Sequence, residues 1–184
     1  QALGVEFKLG VRVGKDLTLE DLRKQGFGFT FLGVGAAAGK KLGIPGEEVA
    51  GVLDVLSYLD EAKAKGQMEL GEHVLVVGGG NSAMDAARSA RRFVKKGTVD
   101  LVYRRTRAQM PADPEEIHDC LEEGVGLRDL LAPLRVASEN GKVTGLVCGV
   151  MKLGAPDSSG RPRPVPTGEE ITLPCTTLIS AVGQ

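Results

Sequence analysis

His73-Val74-Leu75-Val76-Val77-Gly78-Gly79-Gly80-Asn81-Ser82-Ala83, residues 73–83, is the stretch that decides the fold. After His73 comes an unbroken apolar run rich in valine, which suits a strand covered on both faces. Three glycines then let the chain turn tightly. Beyond them Ala83, Met84, Ala86, Ala87, Ala90, Phe93 and Val94 form one helical stripe, while Arg88, Arg91, Arg92, Lys95 and Lys96 mostly cover the other side and Gly97 offers a stop. Residues 99–103 read as the next strand. Strand, glycine turn, helix and strand within about thirty residues make a βαβ unit, parallel and right-handed in nearly all cases.

Gly78, Gly80 and Ala83 satisfy the pattern G-x-G-x-x-G/A. The first glycine permits the turn, the second lets backbone approach a pyrophosphate, and the third small residue lets helix and strand pack closely. The helix N-terminus adds unpaired N–H groups and partial positive charge. In this strand–turn–helix context the motif indicates a dinucleotide site. NAD and FAD sites usually place an acidic residue at the end of the second strand, about 20 residues past the glycines. Here that end reads Tyr103-Arg104-Arg105-Thr106-Arg107, and Asp100 lies at the wrong end of the strand. Three guanidiniums in four positions suit a 2′-phosphate, so NADP outranks NAD, and both outrank FAD. For a single arginine the plain alternative is a solvated basic turn.

Upstream, residues 5–9 and 27–34 read as short strands, the second running into Gly33, Gly35, Ala36 and Gly39, and Thr18 caps a brief helix through Leu22. A Pro45-Gly46 turn precedes Val52, Val55, Leu56, Leu59 and Ala62 at helical spacing, with Gly66 as a stop. Downstream, Asp113-Pro114 with Glu116 starts a helix that buries Ile117, Cys120 and Leu121 before Gly124. Residues 125–131, 134–137, 143–153 and 171–173 are strand-like, with turns at Asn140-Gly141, residues 156–160 and Thr167-Gly168, so a β-meander is expected. Proline-rich residues 161–166 read as an extended loop, and residues 177–182 as a last apolar strand.

The 184 residues, 42% hydrophobic and 26% charged, suffice for one well-filled core and exclude a disordered tail. No apolar run reaches the length of a spanning helix, and residues 1–10 lack a signal-peptide pattern, so a cytoplasmic protein without a membrane span is expected. Lys plus Arg number 23 against 24 Asp plus Glu, a formal charge of -1, which argues against a nucleic-acid partner. Cys120, Cys148 and Cys175 are too far apart for a CxxC pair or a metal cluster and read as buried free thiols. His73 and His118 have no serine or cysteine partner that the sequence places beside them, and Glu115, Glu116, Glu122 and Glu123 read as a solvated helix face. No catalytic residue and no metal ligand is assigned, because hydride transfer mainly asks a protein to position cofactors.

Four stretches together resemble a known family: FLGVGAAAGKKLGIPGEEVAGV (31–52), VLVVGGGNSAMDAARSARR (74–92), VYRRTRAQMPADPEEI (102–117) and TTLISAVGQ (176–184). The family is the pyridine-nucleotide and flavin oxidoreductases typified by the small subunit of NADPH-dependent glutamate synthase, and the resemblance covers nearly the whole chain. Its specific part is the YRR-T-R-x-x-MPA-x-x-E-E run after GGGNSAMD, which general disulfide reductases lack. Unlike the thioredoxin reductases, whose glycine turn it shares, this chain has no CxxC. Family members insert an NADP domain between two halves of an FAD domain. The resemblance therefore implies residues 1–48 as the tail of the first FAD half and residues 49–184 as the NADP-binding domain. It also implies Gly78, Gly79, Gly80, Asn81, Ser82 and Ala83 at the pyrophosphate, Arg104, Arg105 and Arg107 at the 2′-phosphate, and Ala181, Val182 and Gly183 near the nicotinamide. FAD, and iron–sulfur clusters, would belong to the parent protein, since the FAD glycine motif, the cysteine-rich iron–sulfur segment and the second FAD half are not in these 184 residues.

The expected fold is thus α/β: a Rossmann-like dinucleotide-binding domain with a parallel sheet and a β-meander crossover, plus a partial segment of a flanking FAD domain. The expected function is the NADPH-binding domain of a flavin-dependent oxidoreductase that passes hydride from NADPH to FAD and electrons onward, the chain alone supplying only the nucleotide site. Its expected partners are NADPH, the remaining FAD-domain halves and a larger iron–sulfur or flavin subunit. The competing readings are a subunit-docking module with a vestigial nucleotide site and an NAD-preferring reductase, the latter disfavoured by the missing acidic residue. The final electron acceptor stays open, because the resemblance extends to dihydropyrimidine dehydrogenase and ferredoxin-linked transhydrogenases.

Overall fold

Strand β2 (His73–Val77) alternates between two cores: Val74 and Val76 belong to one cluster of buried side chains, Leu75 and Val77 to another. That division explains why the run is apolar at every position after His73. The computed structural model describes residues 3–35, 39–158 and 160–183, and the chain divides into two compact units, residues 1–35 and residues 36–184.

In the first unit, helix α1 (Leu19–Lys24) starts at Thr18 as expected. The Thr18 hydroxyl accepts from the Asp21 N–H (3.1 Å), and the Asp21 carboxylate accepts from the Thr18 N–H (3.0 Å). The strands expected at residues 5–9 and 27–34 are not formed. A strand needs a neighbour for its N–H and C=O groups, and the described residues of this unit offer only an isolated bridge between Val13 and Leu17. Ala36, on the expected run-out of the second of these strands, lies outside the described residues, as does Gln184.

The second unit is a three-layer α/β fold. Its elements in order are β1 (Val52–Asp54), α2 (Val55–Lys65), β2, α3 (Asn81–Phe93), β3 (Thr98–Val102), a 3-10 turn (Arg107–Gln109), α4 (Pro114–Glu122), β4 (Gly126–Arg128), β5 (Leu131–Glu139), β6 (Lys142–Pro156), β7 (Pro162–Pro174) and β8 (Thr177–Ser180). Five parallel strands lie in the order β1-β8-β2-β3-β4, and β5-β6-β7 form an antiparallel meander, as the α/β reading requires. Tyr58 of α2, Met84 and four alanines of α3, and Ile117 and Cys120 of α4 cover one face of the parallel sheet. Val136, Leu146 and Cys148 of the meander cover the other, over Leu75, Val77, Val102 and Leu178. At about 1.5–3 kcal/mol for each large aliphatic side chain buried, these two interfaces dominate the stability of the unit.

Several local expectations are corrected. Val52 is in β1, paired with Leu178, rather than on the following helix, because Asp54 intervenes as the N-cap: its Oδ2 accepts from the N–H groups of Leu56 (3.1 Å) and Ser57 (3.0 Å). Helix α3 ends at Val94 instead of Gly97, where the Arg91 guanidinium donates to the Val94 and Gly97 carbonyls. Residues 125–131 do not form one strand; Leu130 takes a positive φ of 55°, so β4 joins the parallel sheet and β5 opens the meander. The proline-rich residues are not a loop but the start of β7. An edge strand needs only every second N–H, and Pro162, Pro164 and Pro166 are spaced by two. Thr167-Gly168 lies within β7 near a register shift rather than between strands, whereas Asn140-Gly141 (φ 50° and 75°) joins β5 to β6 as expected. Leu42, Ile44 and Val49 pack against the meander-side core, and the Pro45 carbonyl accepts from the Val136 N–H (2.9 Å), which fastens this segment to the second compact unit. Among the described residues, no helix is long and apolar enough to cross a membrane.

Candidate dinucleotide site

The carboxyl ends of β2, β3 and β8 open on one cleft of about 750 Å³. β2 has β3 on one side and β8 on the other, the chain reaching them in opposite directions, so the cleft lies at the switch point where open α/β sheets bind ligands. Gly78, Gly79, Gly80, Asn81 and Ser82 line it, together with Arg104, Arg105, Ala181, Val182 and Gly183. Ten of the twelve residues singled out in the sequence therefore converge. Ala83 lies just behind, fully buried in the helix–sheet core, where a larger side chain would push α3 away. Arg107 diverges: it is exposed on the 3-10 turn and lines a separate pocket with Met110, Ile117 and Asp129.

Each glycine of the turn answers a different demand. At Gly78, with φ 153°, a Cβ would overlap the Ala181 carbonyl oxygen and lie 2.9 Å from its carbon. The ring of Tyr103 packs against Gly79, held by its hydroxyl donating to the Gln109 carbonyl (2.8 Å). At Gly80 a Cβ would meet nothing within 4 Å, so no packing within the protein demands a glycine there. What it leaves open is the approach to the N-terminus of α3, which has no side-chain cap and no acidic residue in its first turn. Uncapped N–H groups at a positive helix end are suited to an anion. The Asn81 carboxamide accepts from the Asp113 N–H (2.9 Å), which ties the start of α3 to that of α4.

The cationic side of the cleft is uneven. Arg104 is exposed into it. Arg105 is 5% exposed; it donates through Nε to the Pro162 carbonyl and through its terminal nitrogen to the Asp157 carboxylate, both at 2.8 Å. Arg161, from the turn before β7, also lines the cleft. Sequence reasoning missed it because a proline-rich segment distant in the chain carries no signal of where it folds. Ala132 and Pro133 were missed in the same way, whereas Tyr103, next to Arg104, and Pro111 were not singled out as site residues. Asp100 faces away from the cleft, paired with Arg128 (3.1 Å). His73 and His118 are exposed outside it, facing Thr98 and Glu122. No cluster of His, Cys, Asp or Glu among the described residues could hold a metal ion.

Beside the site, Arg88 of α3 is gripped by Glu116 (2.8 Å), Glu123 (2.6 Å) and Asp119 (3.5 Å), so part of the expected solvated acidic face is an ion-pair clamp joining α3 to α4. Hydrogen bonding from Arg88 holds the Glu123 carboxyl below its ordinary pKa.

A strand-borne glycine turn, an open helix N-terminus and arginines at the neighbouring strand end make an α/β domain of the dinucleotide-binding class. The profile of the pyridine nucleotide-disulphide oxidoreductase family matches residues 3–129, and the chain belongs to that family. Family members bind NADP(H) and FAD. The β subunit of the NADP(+)-dependent formate dehydrogenase of Moorella thermoacetica is 42% identical over 189 residues, covering 100% of this chain and 26% of that protein. The small chain of NADPH glutamate synthase from Halomonas elongata is 35% identical over 197 residues, covering 100% of this chain and 40% of that one. The chain thus spans well under half the length of these relatives. Mycobacterium tuberculosis FprA in complex with NADPH shares the fold, with a TM-score of 0.74 and 20% identity over 94% of this chain and 53% of that one.

Proposed function

We propose that this chain is the NADPH-binding domain of a flavoprotein that passes hydride from NADPH to FAD and electrons onward. The observation that carries the reading is Gly80, whose missing side chain leaves open the one uncapped helix end that faces the arginine-lined cleft. In this reading the Gly78–Ser82 backbone and the start of α3 hold the pyrophosphate. Arg104 meets the adenosine 2′-phosphate, and the 181–183 turn lies toward the nicotinamide. NADPH supplies the hydride when bound, and the chain fixes its two ends. Lys40, whose N–H donates to the Gly183 carbonyl (3.0 Å), helps hold the 181–183 turn. Residues 49–184 would form the nucleotide domain, with residues 1–48 continuing into a flavin domain completed by other segments of a longer chain.

The names of the relatives divide among formate dehydrogenase, NADPH–Fe(3+) oxidoreductase and glutamate synthase subunits. A glutamate-synthase-type role is one member of that set, with a larger redox subunit as partner. Calorimetric titration of the chain with NADPH and NADH side by side tests the nucleotide assignment. Tighter binding of NADPH is the expected result; equal binding, or none by the folded chain, would overturn it.

A further inference from the structure

The glycine turn spends its acceptors on one neighbour and keeps its donors. The Gly79 carbonyl accepts from the Ala112 N–H (3.1 Å), and the Asn81 carboxamide oxygen accepts from the Asp113 N–H (2.9 Å). Among the described residues the N–H groups of Gly79, Gly80, Asn81 and Ser82 have no acceptor, and these four residues line the cleft. Consecutive free donors suit an anion while the backbone that carries them is held in place. Residues 103–113 do the holding. Besides the two N–H groups, this run brings the Tyr103 ring, 8% exposed, against Gly79, where a Cβ would lie 2.6 Å from Cε2 of the ring and 2.7 Å from Cδ2. The run is also fastened to itself and to the sheet. The Tyr103 hydroxyl donates to the Gln109 carbonyl (2.8 Å), and the Gln109 N–H donates to the Thr106 carbonyl (3.0 Å). The Tyr103 N–H donates to the Arg128 carbonyl and its own carbonyl accepts from the Leu131 N–H, both at 3.0 Å. The backbone at the β3 end is thus set by these bonds, and the ring is the part of Tyr103 that bears on the glycine turn.

We propose that Tyr103 is a positioning residue for the pyrophosphate of NADP(H): its ring, steadied by the hydroxyl, fixes Gly79 so that the free N–H groups of residues 79–82 serve one anion together. The inference rests on the NADP(H) reading of the cleft. It gives the residue ahead of the arginines a task separate from theirs. In that reading Arg104 distinguishes NADP(H) from NAD(H), whereas Tyr103 acts, through the glycine turn, on the part that the two cofactors share.

Titrating the intact chain with NADP+ and NAD+, as wild type, Y103L and Y103F, tests it, with 2′-AMP as a competitor that offers the 2′-phosphate without a pyrophosphate. Y103L is expected to weaken NADP+ and NAD+ by the same factor, about tenfold, the effect of one hydrogen bond to a charged group. Its competition by 2′-AMP should match wild type, since the backbone that carries Arg104 does not depend on the ring. Y103F keeps the ring and should bind close to wild type. A Y103F chain as weak as Y103L would put the hydroxyl itself against the ligand and overturn the positioning role. Where Y103L folds poorly, Gly79→Ala decides: Gly79 takes no left-handed φ, so its Cβ disturbs the same contact from the other side and should give the same equal loss. Unchanged NADP+ affinity, a loss confined to NADP+, or weaker competition by 2′-AMP would overturn the inference while leaving the NADP(H) reading intact. A wild-type chain that does not prefer NADP+ would overturn that reading, and the inference with it.

Discussion

Gly78 and Ala181 occupy one space: the face of Gly78 that would bear a side chain is filled by the Ala181 carbonyl, and the Ala181 N–H donates to Val77 (2.8 Å) on the adjoining strand end. Two positions on, Gly80 faces open space. The same residue type is thus required for opposite reasons, and the two alanine variants should separate them. Gly78→Ala forces β2 and β8 apart and should lower stability by more than about 3 kcal/mol. Gly80→Ala should melt within a few degrees of wild type yet bind NADPH at least roughly tenfold more weakly, since its Cβ enters the path to the helix N-terminus. Thermal melts with NADPH titration check both. A Gly80→Ala variant with full affinity would remove the main support for the pyrophosphate assignment.

Arg104 is the exposed cation at the β3 end. Replacing it with alanine should weaken NADPH binding by about 1.5–3 kcal/mol, the range for a hydrogen bond to a charged group. NADH binding should be unaffected, because that cofactor lacks the 2′-phosphate. The effect should also shrink as salt rises, since an exposed contact is screened. Calorimetry at two ionic strengths reads all three; equal loss for both nucleotides would place Arg104 at some other part of the ligand.

The Arg88 clamp makes a pH prediction. Hydrogen bonding from Arg88 lowers the folded-state pKa of Glu123 below its ordinary value of 4.5. A depressed carboxyl stabilises the fold above its unfolded pKa, and that contribution is lost as pH falls through the folded one. Wild type should therefore melt above E123Q at neutral pH, and the gap should close as pH drops well below 4.5. A gap independent of pH would mean the glutamate acts by packing alone.

The parts of this fold legible in the sequence were those whose signal is local. Residues 74–77 needed both cores to explain their unbroken hydrophobicity, and Thr18, Asp113 and Asn140-Gly141 carried their own capping and turn chemistry. What escaped depended on distant partners. Pro162, Pro164 and Pro166 look like a loop until β6 lies beside them and leaves their missing N–H groups facing outward at a sheet edge. Residues 27–34 look like a strand until no neighbour is found. In the site the glycines and Ala181 converge because they end adjacent strands, whereas consecutive arginines point where backbone and partners send them. Arg105 turned to Asp157 and Arg107 to another pocket, which a cluster read as one charge does not reveal.

The three cysteines provide a last test of how well the two cores are sealed. Cys120 lies in the helix-side core, and Cys148 and Cys175 lie in the meander-side core. Burial pushes the Cys120 thiol up to about 11, and those of Cys148 and Cys175 up to about 12. The thiolate is the reactive form, so at neutral pH only about one thiol in ten thousand or fewer would be ionised, behind a protein wall. Alkylation with iodoacetamide followed by mass spectrometry should find no label on the native chain and three labels after denaturation. If Cys148 and Cys175 were modified in the native state while Cys120 was protected, the meander would have to lift from the sheet on the timescale of labelling. The β6–β7 turn that carries Arg161 would then move with it, so protection of these two thiols also reports whether that side of the cleft stays in place.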